Sequence, residues 1–268
     1  GSGRMSAGGL AFLLCPGAFA RAIGEYQAAA IRPEASAALV LDAAAVEAHP
    51  DGAHTERIHQ IVHVLDTRGV DRWGEVEIPA GAALLQLRTW KRDGRALEPE
   101  DHGGEKRTLS AAGLEPGDLL EIEWARGHPA RGPGVPGWSA DPFFFRGEDL
   151  TFFRSTYAAA APSGMLELDA RNLAAPPVER RPGRDVVRVE ARQVPALVSE
   201  PGDPAISEYL PMLQVGSGAG VDEAARAAAD AFAERVRPGR DAEVLAAAVR
   251  TPPGAPGPLA EEALVRAA

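Results

Sequence analysis

Alternation of apolar and polar residues dominates the middle of the chain. In the run 57–66 (RIHQIVHVLD), Ile58, Gln60, Val62 and Val64 fall on one side of an extended strand and His59, Ile61, His63 and Leu65 on the other. Residues 119–126 (LLEIEWAR) repeat the pattern, with Leu120, Ile122 and Trp124 opposite Leu119, Glu121 and Glu123. In 84–92 (LLQLRTWKR), Leu85, Leu87 and Thr89 oppose Leu84, Gln86, Arg88 and Trp90. Turn chemistry punctuates these runs: Asp51-Gly52 and Asp93-Gly94 as hairpin signals, and Leu114-Glu115-Pro116-Gly117-Asp118 as a tight turn. Residues 127–142 hold too much Gly and Pro for a regular element and are expected to form a long loop. Further strands are expected near 143–146, 150–158, 165–169 and 185–191. Many short strands at this spacing predict a mostly β fold, a two-lobed antiparallel β-sandwich module over 31–215 with a short C-terminal helical segment.

The period changes at both ends. Phe19, Ile23 and Tyr26 recur at helical intervals within 10–31, and Pro33 closes that element. Residues 1–30 are therefore read as a tag remnant (Gly1-Ser2-Gly3) followed by a helical segment. From 216 to 268 a linker leads into helical patterns at 221–236, 241–249 and 259–268, the last stopping mid-pattern as though approaching a further domain.

Composition narrows the function classes. A net charge of −10 opposes a nucleic-acid footprint, which needs a basic patch. The single cysteine, Cys15, rules out an intramolecular disulfide. The apolar run Leu10–Cys15 is far shorter than the ~20 residues that span a bilayer, so no membrane-spanning segment is expected. Compartment stays open between periplasmic or extracellular, if an export signal was trimmed, and cytoplasmic.

Candidate chemistry is sparse. Cys15 lies in a peripheral segment and reads as an incidental thiol. His59 and His63 share a strand face but stand about 13 Å apart, too far to hold one metal, with His54 on the other face. The favoured reading is a solvated strand face, and no metal or cofactor is assigned. Glu121 with Glu123, and Glu75 with Glu77, read as surface alternation for want of an opposing carboxylate. The stretch 216–220 (GSGAG) lacks a following lysine and reads as a linker. The distinctive group is aromatic: Trp138, Phe143, Phe144, Phe145, Phe152, Phe153 and Tyr157, taken as the binding residues if there are any, either packed internally or offered to a partner.

Four stretches, VEAHPDGAHTERIHQIVHVLDTRGVDRWGEVEIP (46–79), LLQLRTWKRDGRALEP (84–99), LEPGDLLEIEW (114–124) and VVRVEARQVPALVSEP (186–201), resemble in order and spacing the β-rich domain of unknown function DUF3857, found before transglutaminase-like domains in bacterial proteins. The resemblance implies a two-lobed antiparallel module accessory to a papain-like core. The Cys-His-Asp triad of such a core has no counterpart here. The expectation is a non-catalytic module that positions a protein or peptide substrate or packs against a downstream transglutaminase-like domain, its oligomeric state open. Two alternatives stand beside it: an assembly module using the 143–157 aromatics, and a hydrolase with its site between the β lobes.

Overall fold

The computed structural model describes residues 18–30, 33–99, 108–131, 137–197, 208–218 and 229. Cys15, His102 and the helices expected at 221–249 and 259–268 lie outside the described residues, except Ala229. The chain divides into two units, 1–218 and 219–268, and the sheets belong to the first.

Helix α1 (Ala18–Ala29) precedes a long hairpin, β1 (Ala37–Ala48) and β2 (His54–Val64), and a short helix, α2 (Thr67–Trp73). Then come β3 (Glu75–Glu77), β4 (Ala82–Trp90), β5 (Ala96–Leu97), β6 (Thr108–Ser110) and β7 (Leu119–His128). The remaining strands are β8 (Trp138–Ser139), β9 (Phe143–Phe144), β10 (Leu150–Pro162), β11 (Glu167–Arg171), β12 (Val178–Arg181), β13 (Arg184–Val194) and β14 (Met212–Ser217). Eight of them form one sheet in the order β12-β13-β10-β1-β2-β7-β4-β5. A smaller sheet, β11-β14-β8 with β9 also on β14, and the β3-β6 pair complete the set.

The predicted turns form as their residues dictate. Gly52 adopts φ +84 and Gly94 φ +85, values that suit glycine, and His49 N–H closes the first turn on Ala53 O at 2.8 Å. In the 114–118 turn, buried Asp118 accepts from the Glu115 amide and pairs with Lys91 Nζ.

The fold is mostly β, as expected, but it is not a plain antiparallel sandwich: the central strands β1 and β10 pair in parallel, Ala44 against Tyr157 and Val46 against Ala159. Both strands are rich in alanine, the strongest helix former, yet β1 is buried along nearly its whole length. Small side chains let layers close on both sides of the sheet, and that packing overrides local preference. On one side, Ala22 and Tyr26 of α1 cover Ala38, Val40, Leu41, Ala43, Ile61 and Phe153. On the other side, the small sheet buries Trp138, Phe143, Phe145, Leu213 and Val215 against Ala44, Val46, Tyr157 and Val187. Further along that same side, Val76, Trp73 and Leu109 cover Leu39, Val62, Leu120 and Ile122.

Local differences from the sequence expectation have physical causes. A bulge between Leu84 and Gln86 shifts parity in β4, so Leu84 and Leu87 share the core face while Leu85 stands 49% exposed. Residues 216–217, expected as linker, belong to β14, where pairing with β8 extends the strand. The segment 127–142, expected as loop throughout, carries the end of β7 and all of β8. Helix α2, whose N-cap Asp66 accepts from the Gly69 amide at 2.9 Å, has no counterpart in the expectation. Among the described residues no helix is long and apolar enough to cross a membrane.

Candidate metal centre

The β2–β7 register brings together three side chains that sequence spacing keeps far apart. His54 is the cross-strand partner of His128, and Glu56, two residues along β2 on the same face, is opposite Arg126. Ligating atoms of His54, Glu56 and His128 all lie within 4.8 Å of one another. The two imidazoles stack with centroids 4.3 Å apart and planes 4° from parallel, and His54 also leans on Trp138 at 5.2 Å.

His54 is 6% exposed and neither of its ring nitrogens hydrogen-bonds a side chain. Burial, reinforced by His128 and Arg131, holds its pKa below the ordinary value, against weaker pulls from the Gly52 carbonyl and Glu56, so the ring is neutral at neutral pH. A neutral imidazole with an uncommitted nitrogen in a dry setting is the state that ligates a metal.

Glu56 behaves differently. Burial alone would raise its pKa, but hydrogen bonds from the Asp141 amide (2.9 Å) and Arg126 Nη2 (2.9 Å), with His128 Nε2 3.0 Å away, outweigh burial and hold it below the usual range. It is therefore an anion. His128 Nε2 also lies 3.0 Å from Arg126 Nε, and Arg126 reaches on to exposed Asp141. The residue types and their closeness are those that hold Zn²⁺, but the two imidazoles stack nearly parallel and Arg126 Nε donates to His128 Nε2, so one ring must turn before both can point a nitrogen at a single ion.

Two adjoining hollows continue from this cluster along the same sheet face. One of about 360 Å³ is lined by Glu56, Asp141, Trp124, Phe143, Phe144 and Tyr157, and one of about 390 Å³ by Trp73, Glu75 and Phe152 among others. Asp42, Gln60 and Trp124 line both. Asp42 faces this cleft because of a bulge in β1: Leu39 packs on the cleft side, Val40 and Leu41 both turn to the α1 side, and alternation resumes one residue late.

The histidines that stand out in sequence lie on the opposite face and are partnered. His59 Nε2 is 3.1 Å from Glu121 Oε1, whose other oxygen accepts from Trp90 Nε1 at 2.9 Å, and His63 Nδ1 is 3.0 Å from the Tyr26 hydroxyl. Glu123 accepts from Arg57 Nε at 2.7 Å. The aromatic group does not form one patch. Trp138, Phe143, Phe145 and Tyr157 are buried beneath the small sheet, Phe152 joins the second cluster on that side, Phe153 joins the α1 cluster, and Phe144 is half-buried on the cleft wall. Sequence reasoning missed His128 and Glu56 altogether, because 72 residues and four strands separate Glu56 from the strand end that completes the site.

This cluster overturns the expectation of a non-catalytic accessory module of a transglutaminase-like protein, and with it the leaning against an enzyme. Packing alone does not require two stacked histidines and a carboxylate gathered at the mouth of a cleft.

No family profile matches the sequence, and no curated protein does. Among solved structures, the chain is similar to a candidate protease of Parabacteroides distasonis, at 17% identity and a TM-score of 0.60 over 78% of this chain and 45% of that one. An M1 zinc metallopeptidase of Deinococcus radiodurans matches at 12% identity and a TM-score of 0.34, over 68% of this chain and 42% of that one, too low to bear on the fold. The chain thus spans less than half the length of these proteins, and what the first of them shares with it is the fold.

Proposed function

We propose that this chain binds one divalent transition-metal ion, Zn²⁺ by its ligand chemistry, through His54, Glu56 and His128, and that the ion serves hydrolysis of a substrate held in the adjoining cleft. The observation that carries the proposal is His54: a buried neutral imidazole whose nitrogens bond no side chain, stacked against a second histidine and beside an ionised carboxylate. Three protein ligands leave a fourth position for water, whose pKa falls to about 7 on Zn²⁺. Similarity in fold to a candidate protease agrees with a peptide or other acyl substrate. The finer reading of the fold, a DUF3857-type β module, is supported by the order of the stretches at 46–79, 84–99, 114–124 and 186–201.

Arg126 favours a second reading. It already neutralises Glu56, so the same residues also work as a salt-bridge network tying β2, β7 and the 141 segment together. Calorimetric titration of the purified chain with Zn²⁺ separates the two. The metal reading expects one ion bound per chain, affinity lowered more than about tenfold in His54→Ala and His128→Ala, and no change in the control His49→Ala, an exposed site. Hydrolysis of peptide and ester substrates should appear on loading. Absence of Zn²⁺ binding leaves the network as the role of these residues.

A further inference from the structure

Asp42 is buried at the floor of the cleft, 4% exposed, with Gln60 Nε2 donating to its Oδ1 at 2.9 Å and the Ser155 hydroxyl beside it on the paired strand. Neither neighbour carries charge, and among the described residues no Lys, Arg or His pairs with it. A buried carboxylate without a counter-cation is costly, and the usual resolution is protonation or a partner. The β1 bulge that aims Asp42 into the cleft makes its placement specific: plain alternation from Leu39 would have put Leu41 there.

The surroundings indicate the missing partner. Trp124, Phe143, Phe144 and Tyr157 line one hollow and Trp73 and Phe152 the other, so the carboxylate sits between aromatic walls. Tyr157 adds a fully buried hydroxyl with no hydrogen-bond partner, in the field of Glu56 and Asp141. Acidic residues also recur along the lining, Glu75 and Glu77 at one end and Glu56 and Asp141 at the other. Arg72, on the same lining, is turned to the Glu148 carbonyl at 3.0 Å. Aromatic faces attract organic cations through the ring quadrupole, and a carboxylate fixes the ammonium head.

We propose that the cleft is a binding site for an organic ammonium group, with the Asp42 carboxylate as counter-ion and the Trp124, Phe144 and Trp73 side chains as walls around the alkyl chain. The site is complete without an ion at His54, so the proposal does not rest on the metal reading. Free diamines and the lysine side chain of a peptide share the required chemistry.

The test uses the whole chain in EDTA, titrated with cadaverine and, separately, with a short lysine-containing peptide, followed by tryptophan fluorescence and calorimetry. Saturable binding of one ligand per chain is expected, weakened at least tenfold in Asp42→Asn and in Trp124→Leu, and unchanged in His54→Ala. Binding of cadaverine alone identifies a free amine as the ligand, and stronger binding of the peptide identifies a lysine side chain. An acetylated-lysine peptide or a neutral alcohol of equal length should fail to bind. Equal affinity of the neutral probe, or of Asp42→Asn with thermal unfolding confirming its fold, overturns the proposal, as does loss of binding in EDTA or in His54→Ala.

Discussion

The two faces of the large sheet treat their polar groups in opposite ways. On the α1 face, His59 meets Glu121, Trp90 completes Glu121, His63 meets Tyr26, and Arg57 meets Glu123. On the cleft face, Tyr157, Thr89 and Trp73 each bury a polar atom without a partner, the His54 ring nitrogens bond no side chain, and Asp42 lacks a counter-cation. Among the described residues the α1 face has one such atom, Arg154 Nε. Folded proteins satisfy nearly all buried polar groups, so a concentration of unsatisfied ones on one face marks where a ligand is expected. Polar residues on the first face hold the sheet together, whereas on the second the Glu56–Arg126–Asp141 network does so and the uncompensated Asp42 and unpartnered Tyr157 hydroxyl weaken the folded chain.

The comparison can be broken by replacing residues on each face with apolar or neutral counterparts and measuring unfolding in urea. The largest difference is expected at Asp42. Burial pushes its pKa up to about 6 from 3.8, despite the opposing pulls of Gln60 and Ser155. Because the folded value lies above the unfolded one, the favourable contribution is complete below pH 4 and is lost as pH rises through about 6. Asp42→Asn should therefore be more stable than the parent by about 2–3 kcal/mol at pH 7.5, with the advantage vanishing near pH 4. A parent equally stable at both pH values relative to the variant would mean that Asp42 is compensated after all, and the contrast between faces would lose its strongest member.

A smaller difference separates the histidines. His59→Leu strips one hydrogen bond from a buried glutamate, and His63→Leu leaves the Tyr26 hydroxyl unpaired, each costing about 1–2 kcal/mol. His54→Phe keeps the stacked ring while removing two nitrogens that bond no side chain, and should be neutral or stabilising in the metal-free chain. A loss in His54→Phe as large as in His59→Leu would show that His54 has a partner in solution.

How far the sequence revealed this contrast depends on the range of the interaction involved. Alternation in 57–66 and 119–126 assigned both faces of β2 and β7 correctly, because period 2 is a local property, and the Asp-Gly turns were legible for the same reason. The bulge that turns Asp42 into the cleft was not, since a bulge is an extra residue with no residue type of its own in LVLD. Nor was the parallel pairing of β1 with β10, where runs of alanine gave neither a strand preference nor a register. The site itself was hidden by attention to density. His59 and His63 stand close in sequence and are satisfied locally, while His54 meets His128 only through the register of two strands with β3 to β6 between them. His-x-Glu at 54–56 near one strand end and a histidine at 128 at another were the available signal, and only a register links them.

The smallest expected effect sharpens the comparison in the acid range, where the two cleft-face groups oppose each other. Burial first, and the neighbouring His128 charge next, hold the His54 pKa below 6.5. A histidine that resists protonation when folded contributes stability above pH 6.5 and loses it as pH falls through its lowered folded value, since the unfolded chain takes the proton more readily. His63, lowered by burial and by Arg92, follows the same sign, whereas Asp42 gains stability over part of the same descent. The parent should therefore show a shallow pH dependence between about 7 and 5 from partial cancellation. Asp42→Asn should lose stability on acidification more steeply than the parent, and His54→Phe less steeply, with the His54 difference smaller than those at Asp42 or His59. Loading with Zn²⁺ should add a steep acid loss in the parent and in Asp42→Asn but not in His54→Phe, because protons then compete with the ion for His54, and His54→Phe has no such ligand to protonate.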